Sequence, residues 1–365
     1  MNNNLFFELI RVSIATQNSL SRKPSAEEWQ SLYAMAKMQS LVGLCFAGVQ
    51  KLVNCENEDY CGIPEMLYLT WMGMAAKIQQ RNELMDDKTK ESLSFFREKG
   101  FPCQVLKGQG IASLYGDLRN LRQSGDIDVW LNGNRDSVYQ LSLESFGCIT
   151  GANYHHIHFP MWQDVEVEAH IYPSFLSCPR KNRILHEFCN SHIPTVGCDD
   201  NPSLAFNRVY ILLHCYRHVS GHGVGFRQLL DYYYVLSKGF SEEDRKNAMV
   251  WINCLGMERF AHAFMWVCKE VFHLDDKFLI CSPDEKYGRF LLDEVLATGN
   301  MGHSENRLNK NLLRSAAGRY LYNLKRDLHI MKLTPHESIW DPFFDLWLFL
   351  WRKFVWGRKY RIVRD

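Results

Sequence analysis

A chain of 365 residues, 46% hydrophobic and 23% charged, is long enough for two domains or one large core and has the make-up of an ordinary globular protein. A formal net charge of +1 excludes a global field that would draw it to nucleic acid or to a membrane surface. Its 12 cysteines are scattered with no C-x-x-C pair, which argues against a zinc ribbon or redox motif. The N-terminus lacks a basic lead-in, and no apolar run approaches the ~18 residues needed to span a bilayer, so a reducing cytoplasm is expected.

In chain order, residues 5–15 read as a short amphipathic helix. Ser25 with Glu28 three residues on forms a capping box that opens SAEEWQSLYAMAKM as a helix. Its apolar stripe continues to Leu44, with a break expected near Gly43. The acidic stretch 54–62 reads as a loop, and about Pro64 to Lys99 as one long helix of good helix formers. These first hundred residues show no catalytic constellation.

The stretch from Phe101 to Leu131 reads as strand, glycine turn, short helix, polar loop and second strand. Side chains alternate along a strand, so Asp126 and Asp128 share a face of the second one. Two such carboxylates repel unless something positive lies between them. A hard Mg²⁺ ion, bound through one or two carboxylates and substrate phosphates, is the usual resolution. The glycine turn Lys107-Gly108-Gln109-Gly110, entering a helix, would offer backbone N–H groups to those phosphates.

Residues 133–146 read as a helix. Residues 155–162 and 164–172 alternate and are expected to pair as a hairpin. In its second strand Glu166, Glu168 and His170 share one face, and Val165, Val167, Ala169 and Ile171 the other. From Asn201 the pattern is helical, with His214 and His218 four apart on one helix and Arg227 and Asp231 four apart on the next. Ser241 caps two further helices split near Gly256. A polar segment (299–311) precedes another helix. The aromatic C-terminal helix reads as core and the basic end after it as a solvated tail, in preference to a membrane or nucleic-acid platform. The fold class is α+β, with a small mixed sheet over roughly 101–172 between helical regions.

D-x-D alone is common by chance; its context is what matters. The glycine turn, Arg122, Ser124-Gly125 and a third acid on a later strand form one arrangement, and a two-metal site usually needs about three carboxylates. The sequence resembles the nucleotidyltransferase superfamily that includes DNA polymerase β and the aminoglycoside nucleotidyltransferases. More closely, it resembles the bacterial group described as uncharacterised nucleotidyltransferases. The matching residues are LKG (106–108), Tyr115, RQSGDID (122–128), EAH (168–170), the His214/His218 pair and Arg227-Gln228 with Asp231, over about residues 25–240.

The helical pattern gives an N-terminal helical region over 1–100 and a C-terminal helical domain over 201–365. The resemblance implies a nucleotidyltransferase-like α/β core over 101–200 between them. It implies Mg²⁺-dependent transfer of a nucleoside monophosphate from an NTP to an acceptor, with release of pyrophosphate. Asp126, Asp128 and Glu168 would be catalytic and hold two Mg²⁺ ions, with Glu166 the rival for the role of Glu168. Lys107, Gly108, Gln109, Arg122, Ser124 and Gly125 would face the nucleotide. Glu166, His170, His214, His218, Arg227 and Asp231 would line the acceptor side or buttress the carboxylates. The acceptor is open: a small molecule, sugar phosphate, peptide or protein, with nucleic acid not expected.

Plainer readings stand beside these. Lys107 could be a solvated strand end, Arg122 could pair with Asp117, and Arg227 with Asp231. His155, His156 and His158 with His170 could suggest zinc, though paired histidines more often hydrogen-bond within a core. Where the superfamily has Gly-Ser or Gly-Gly, this chain has Gly108-Gln109. That keeps a nucleotide-binding scaffold without turnover in view, beside a kinase-like or phosphohydrolase enzyme on the same metal site.

Overall fold

Ser25 starts a helix for the reason its spacing implies. Its hydroxyl accepts from the Glu28 N–H while the Glu28 carboxylate accepts from the Ser25 N–H. The computed structural model describes residues 3–54, 62–149, 151–221, 223–300, 316–351 and 354. Four helices open the chain: α1 (Asn3–Ser13), α2 (Ala26–Met38), α3 (Val42–Asn54) and the long α4 (Glu65–Glu98). The break expected near Gly43 falls earlier, where Ser40 holds φ +54. Gly43 lies inside α3, and a Cβ there would run into the Leu121 carbonyl. Close approach, not a helix end, explains that glycine.

Strand β1 (Cys103–Val105) is followed by a six-residue helix α5 (Lys107–Ala112) and a 3-10 helix (Ser113–Leu121), then β2 (Ile127–Leu131) and α6 (Arg135–Phe146). Asn134 caps α6 by accepting from the Ser137 N–H. Strands β3 (Gly151–Ala152), β4 (His156–Phe159) and β5 (Val167–His170) complete a five-stranded mixed sheet of order β1-β2-β5-β4-β3. The expected hairpin is β4–β5, antiparallel; β2 and β5 run parallel.

Register places Asp128 beside Glu168, and Glu168 beside His158. The same alternation puts Val105, Ile127, Val129, Ile157, Val167 and Ala169 on the opposite face, where they pack with Met85, Leu93 and Phe96 of α4 and Val138 and Leu141 of α6. The sheet is therefore apolar on one side and acidic and imidazole-rich on the other.

Helices α7 (Pro179–Asn190), α8 (Leu204–Ser220), α9 (Phe226–Ser237), α10 (Glu242–Leu255), α11 (Glu258–Phe272) and α12 (Glu285–Thr298) follow. Gly256, at φ +80, separates α10 from α11 as expected. A larger apolar cluster joins α1–α4 to α8–α12. Phe6 and Phe7 set their edges against Phe226, and the buried Trp71 indole donates to the Val42 carbonyl at 2.8 Å. The polar face of the sheet is held between these helical layers.

The last helices are α13 (Ala316–Ile330) and α14 (Pro335–Trp351). The aromatic residues of α14 do not all form core: Trp340, Phe343, Trp347 and Phe349 are exposed, as are Leu346 and Leu350. The inner side of the helix is mixed, with Glu337 and Asp341 pairing with Arg217 at 3.0 and 3.5 Å and Phe344 stacking on Phe175 at 5.1 Å. The loop at 55–61, the polar segment from 301 and most of the basic end lie outside the described residues.

Asp327 of α13 is buried, and burial followed by repulsion from Asp341 and Asp345 pushes its carboxyl up to about 7, against the pull of Arg326 and Arg217. A carboxyl raised above its unfolded value contributes most below about pH 4, and that contribution is lost as pH rises through 7. Asp327→Asn, which cannot ionise, is expected to raise Tm at about pH 8, with the gain fading toward about pH 4. An equal Tm difference at both pH values would show that Asp327 does not titrate there.

Candidate active site on the polar face of the sheet

Lys107, the first residue of α5 just after β1, holds φ +23, and Gly108 follows at φ +47. Two successive left-handed residues turn the chain sharply, and for a lysine this costs about 1–3 kcal/mol that its surroundings must hold in place. The turn aims the Lys107 ammonium at Asp128, Nζ to Oδ1 at 3.0 Å, while the Leu106 N–H donates to the Asp128 carbonyl at 2.9 Å. His170 Nε2 reaches the same Oδ1 at 2.8 Å and Glu168 Oε2 at 3.2 Å. His156 Nδ1 also approaches Glu168 Oε2 at 3.2 Å. Every one of these contacts falls on a single oxygen of each acid.

Burial alone would raise the Asp128 carboxyl, but the Lys107 ammonium and the His170 hydrogen bond outweigh it and hold the group well below the usual carboxylate range. Burial would lower His170; its bonds to Asp128 and Glu168 win and raise it to about 9. Burial is likewise overcome at Lys107, where Asp128 and then Asp126 hold the ammonium charged. Two carboxylates face two cations, so the buried cluster is neutral.

Asp128, Glu168 and His170 bring their donor atoms within 4.8 Å of one another, as do His156, His158 and Glu168, and His155, His156 and His170. Asp126 stands just before β2, half-buried and outside these groups, with its field felt by Lys107 and Arg227. The Glu166 side chain is 58% exposed and that of Glu168 14%.

The turn residues join a polar chain anchored on α4. Gln109 Nε2 donates to Asp86 Oδ1 at 2.6 Å, and Ser124 Oγ lies 2.6 Å from Gln109 Oε1 and against Asn82 Oδ1. Asn82 Nδ2 donates to the carbonyls of Asn120 and Arg122 at 2.7 and 2.8 Å. Asn82 and Asp86 thus enter the site from the helix in which the sequence showed no constellation. The sequence carries no signal for either residue, because Asn82 shows as buried only in the structure. Gly125 is exposed beside them.

Neither expected arginine pairing forms. Arg122 grips Asp231 through Nε and Nη2, both at 2.7 Å, and the Tyr115 hydroxyl donates to the same carboxylate at 2.7 Å. All three groups are buried, and a bidentate fork in that setting outcompetes an i,i+4 contact on α9. Arg227 instead donates to the Gln123 carbonyl at 2.9 Å. On α8, His214 and His218 meet edge to face at 4.3 Å. Burial, then His218, holds His214 well below its ordinary value, and the charges of Lys107 and Asp128 are felt there too. Tyr210, one turn before, feels the same two groups.

The family model described as uncharacterised nucleotidyltransferase matches residues 25–273, more than half of the chain. The chain belongs to this family. The match runs from the cap of α2 to the end of α11, so this nucleotidyltransferase family takes in Asn82 and Asp86 as well as the sheet and α8–α9. No curated protein matches the chain. Among the described residues, no helix is long and apolar enough to cross a membrane.

Proposed function

We propose that this protein moves a nucleoside monophosphate from an NTP to an acceptor hydroxyl or phosphate, releasing pyrophosphate, at the acids of β2 and β5. The observation that carries the reading is the in-register Asp128–Glu168 pair with the Lys107 ammonium set on it. The donor chemistry fits Mg²⁺. Oδ2 of Asp128 and Oε1 of Glu168 stay outside the contacts made by Lys107, His156 and His170, and Asp126 offers a third carboxylate nearby. When bound, Mg²⁺ supplies charge neutralisation at the phosphates and a more acidic acceptor oxygen.

The chain's own residues do the rest by position and charge. Lys107 keeps Asp128 ionised and brings a fixed cation to where negative charge develops. His170 holds a proton between Asp128 and Glu168. Glu168, more enclosed than Glu166, takes the acceptor's proton. The Gln109–Ser124–Asn82–Asp86 chain fixes the loop that leads into Asp126, and so fixes the attack geometry. The position of Asp126 apart from the close acid group supports a second reading, a nucleotide-binding scaffold without turnover.

Thermal stability against each of four NTPs, with and without Mg²⁺, tests the site without knowledge of the acceptor. One NTP is expected to raise Tm only with Mg²⁺; a ligand at about 100 times its Kd adds ~2.7 kcal/mol. Asp126→Asn should remove that shift, and Glu168→Gln should reduce pyrophosphate release more than Glu166→Gln. Binding without pyrophosphate release, across acceptor classes, would leave the scaffold. No shift with any NTP would reject the nucleotide site.

A further inference from the structure

Beside the acids, the imidazoles of β4 converge in a way that nucleotidyl transfer does not require. Glu166 Oε1 lies 2.5 Å from His158 Nδ1, and Glu168 Oε2 lies 3.2 Å from His156 Nδ1. A carboxylate accepts, so each ring places its proton on Nδ1 and leaves Nε2 as a bare lone pair. The two Nε2 atoms face each other 3.2 Å apart. Two acceptors at that distance repel unless something positive lies between them. Asn153 Nδ2, 2.9 Å from His156 Nε2, can relieve only one of the two.

The spacing is that of a metal's coordination edge. With Zn–N bonds of about 2.0–2.1 Å, two ligands of a tetrahedron stand roughly 3.3–3.4 Å apart. A carboxylate on the far nitrogen of each ring is how metal-ligating imidazoles are oriented and made more basic. Glu168 Oε2 is engaged by His156 Nδ1 and His170 Nε2, so the third donor would be its other oxygen, Oε1. Ligand atoms of His156, His158 and Glu168 lie within 4.8 Å of one another. Backbone register explains the convergence: His156 and His158 leave β4 on the same face, opposite His170 and Glu168 of β5.

We infer that His156 and His158, with Glu168 as third donor, bind a divalent transition metal of the zinc class at the β4–β5 edge. Two imidazole nitrogens set this site's metal apart from Mg²⁺ by ligand chemistry, although the two sites share Glu168. It does not depend on nucleotidyl transfer and stands if that reading fails. A shared proton between the two rings is the competing occupant of the gap.

The test is titration of the metal-stripped full chain with Co²⁺, followed by its visible absorption, with Zn²⁺ or Mg²⁺ then added as competitor. One equivalent of Co²⁺ is expected to give the strong bands of a four-coordinate ion, displaced by Zn²⁺ and untouched by Mg²⁺. His158→Gln, at a half-buried position, should abolish the bands while Tm without metal stays near that of the parent. Glu166→Gln removes only the carboxylate behind His158 and should weaken binding about 10–100-fold with the bands retained. Absence of Co²⁺ binding would assign the gap to a proton and overturn the inference. So would bands that persist in His158→Gln, since the metal would then sit on other residues.

Discussion

Asp128→Asn is expected to remove the Mg²⁺-dependent stabilisation by NTP and also to lower the stability of the nucleotide-free protein by about 3–5 kcal/mol. Asp126→Asn is expected to do only the first. The difference follows from placement: the Asp128 side chain is 1% exposed and accepts from both Lys107 and His170, whereas Asp126 is half-buried at the mouth of β2. Removing the Asp128 charge leaves Lys107 largely buried without its ion-pair partner, with only the weaker fields of Asp126 and Glu168 to answer it. Lys107→Met in the Asp128→Asn background should recover much of the lost stability and none of the nucleotide response. Urea denaturation of the four proteins, with and without Mg²⁺ and NTP, measures both effects in one series. An Asp128→Asn protein as stable as the parent would mean that the lysine–aspartate contact carries no weight.

That coupling was only half legible in the sequence. Period-two alternation is a local property: it sufficed to put Glu166, Glu168 and His170 on one face of their strand and to join 155–162 with 164–172 as a hairpin. It also set Asp126 with Asp128 on β2, which Asp126 precedes, and only the parallel β2–β5 pairing brings Asp128 beside Glu168. Lys107 meeting Asp128 depends on β1 pairing antiparallel with β2 and on two left-handed residues at the turn, and neither is written in residue spacing. Asn82 and Asp86 were hidden for a similar reason. A helix pattern shows which side is apolar, but not which polar residue will meet a loop about forty positions on. Gly43 and α14 misled from opposite directions. A glycine needed for close approach looks like a helix break. An aromatic-rich helix looks like core even where its covered side is held by Glu337 and Asp341 on Arg217 and many of its large apolar residues are exposed. The approach of His156 and His158 was legible only in part: the sequence singled them out among histidines that could suggest zinc, but their 3.2 Å Nε2–Nε2 distance depends on β4 register and side-chain placement that spacing does not show.

The buried brace between the loop before Asp126 and α9 yields the second large effect. Arg122→Met or Asp231→Asn alone should each cost about 3–5 kcal/mol, because each strands an unanswered charge among groups that are otherwise dry. Tyr115→Phe should cost less, about 1.5–3 kcal/mol, the usual loss for one hydrogen bond to a charged group. The double variant Arg122→Met/Asp231→Leu replaces a desolvated ion pair by apolar contact and should regain most of the stability lost by either single change. That variant also decides what Arg122 is for. The family resemblance made it a cation for the nucleotide, with pairing to Asp117 the plainer reading, yet its fork is filled by Asp231. If it is a brace, the refolded double variant keeps its Mg²⁺-dependent response to NTP, because Lys107 and the acids are untouched. If the response vanishes while Tm is restored, Arg122 must leave Asp231 when nucleotide binds, and the buried pair is then the resting state of a phosphate-binding arginine.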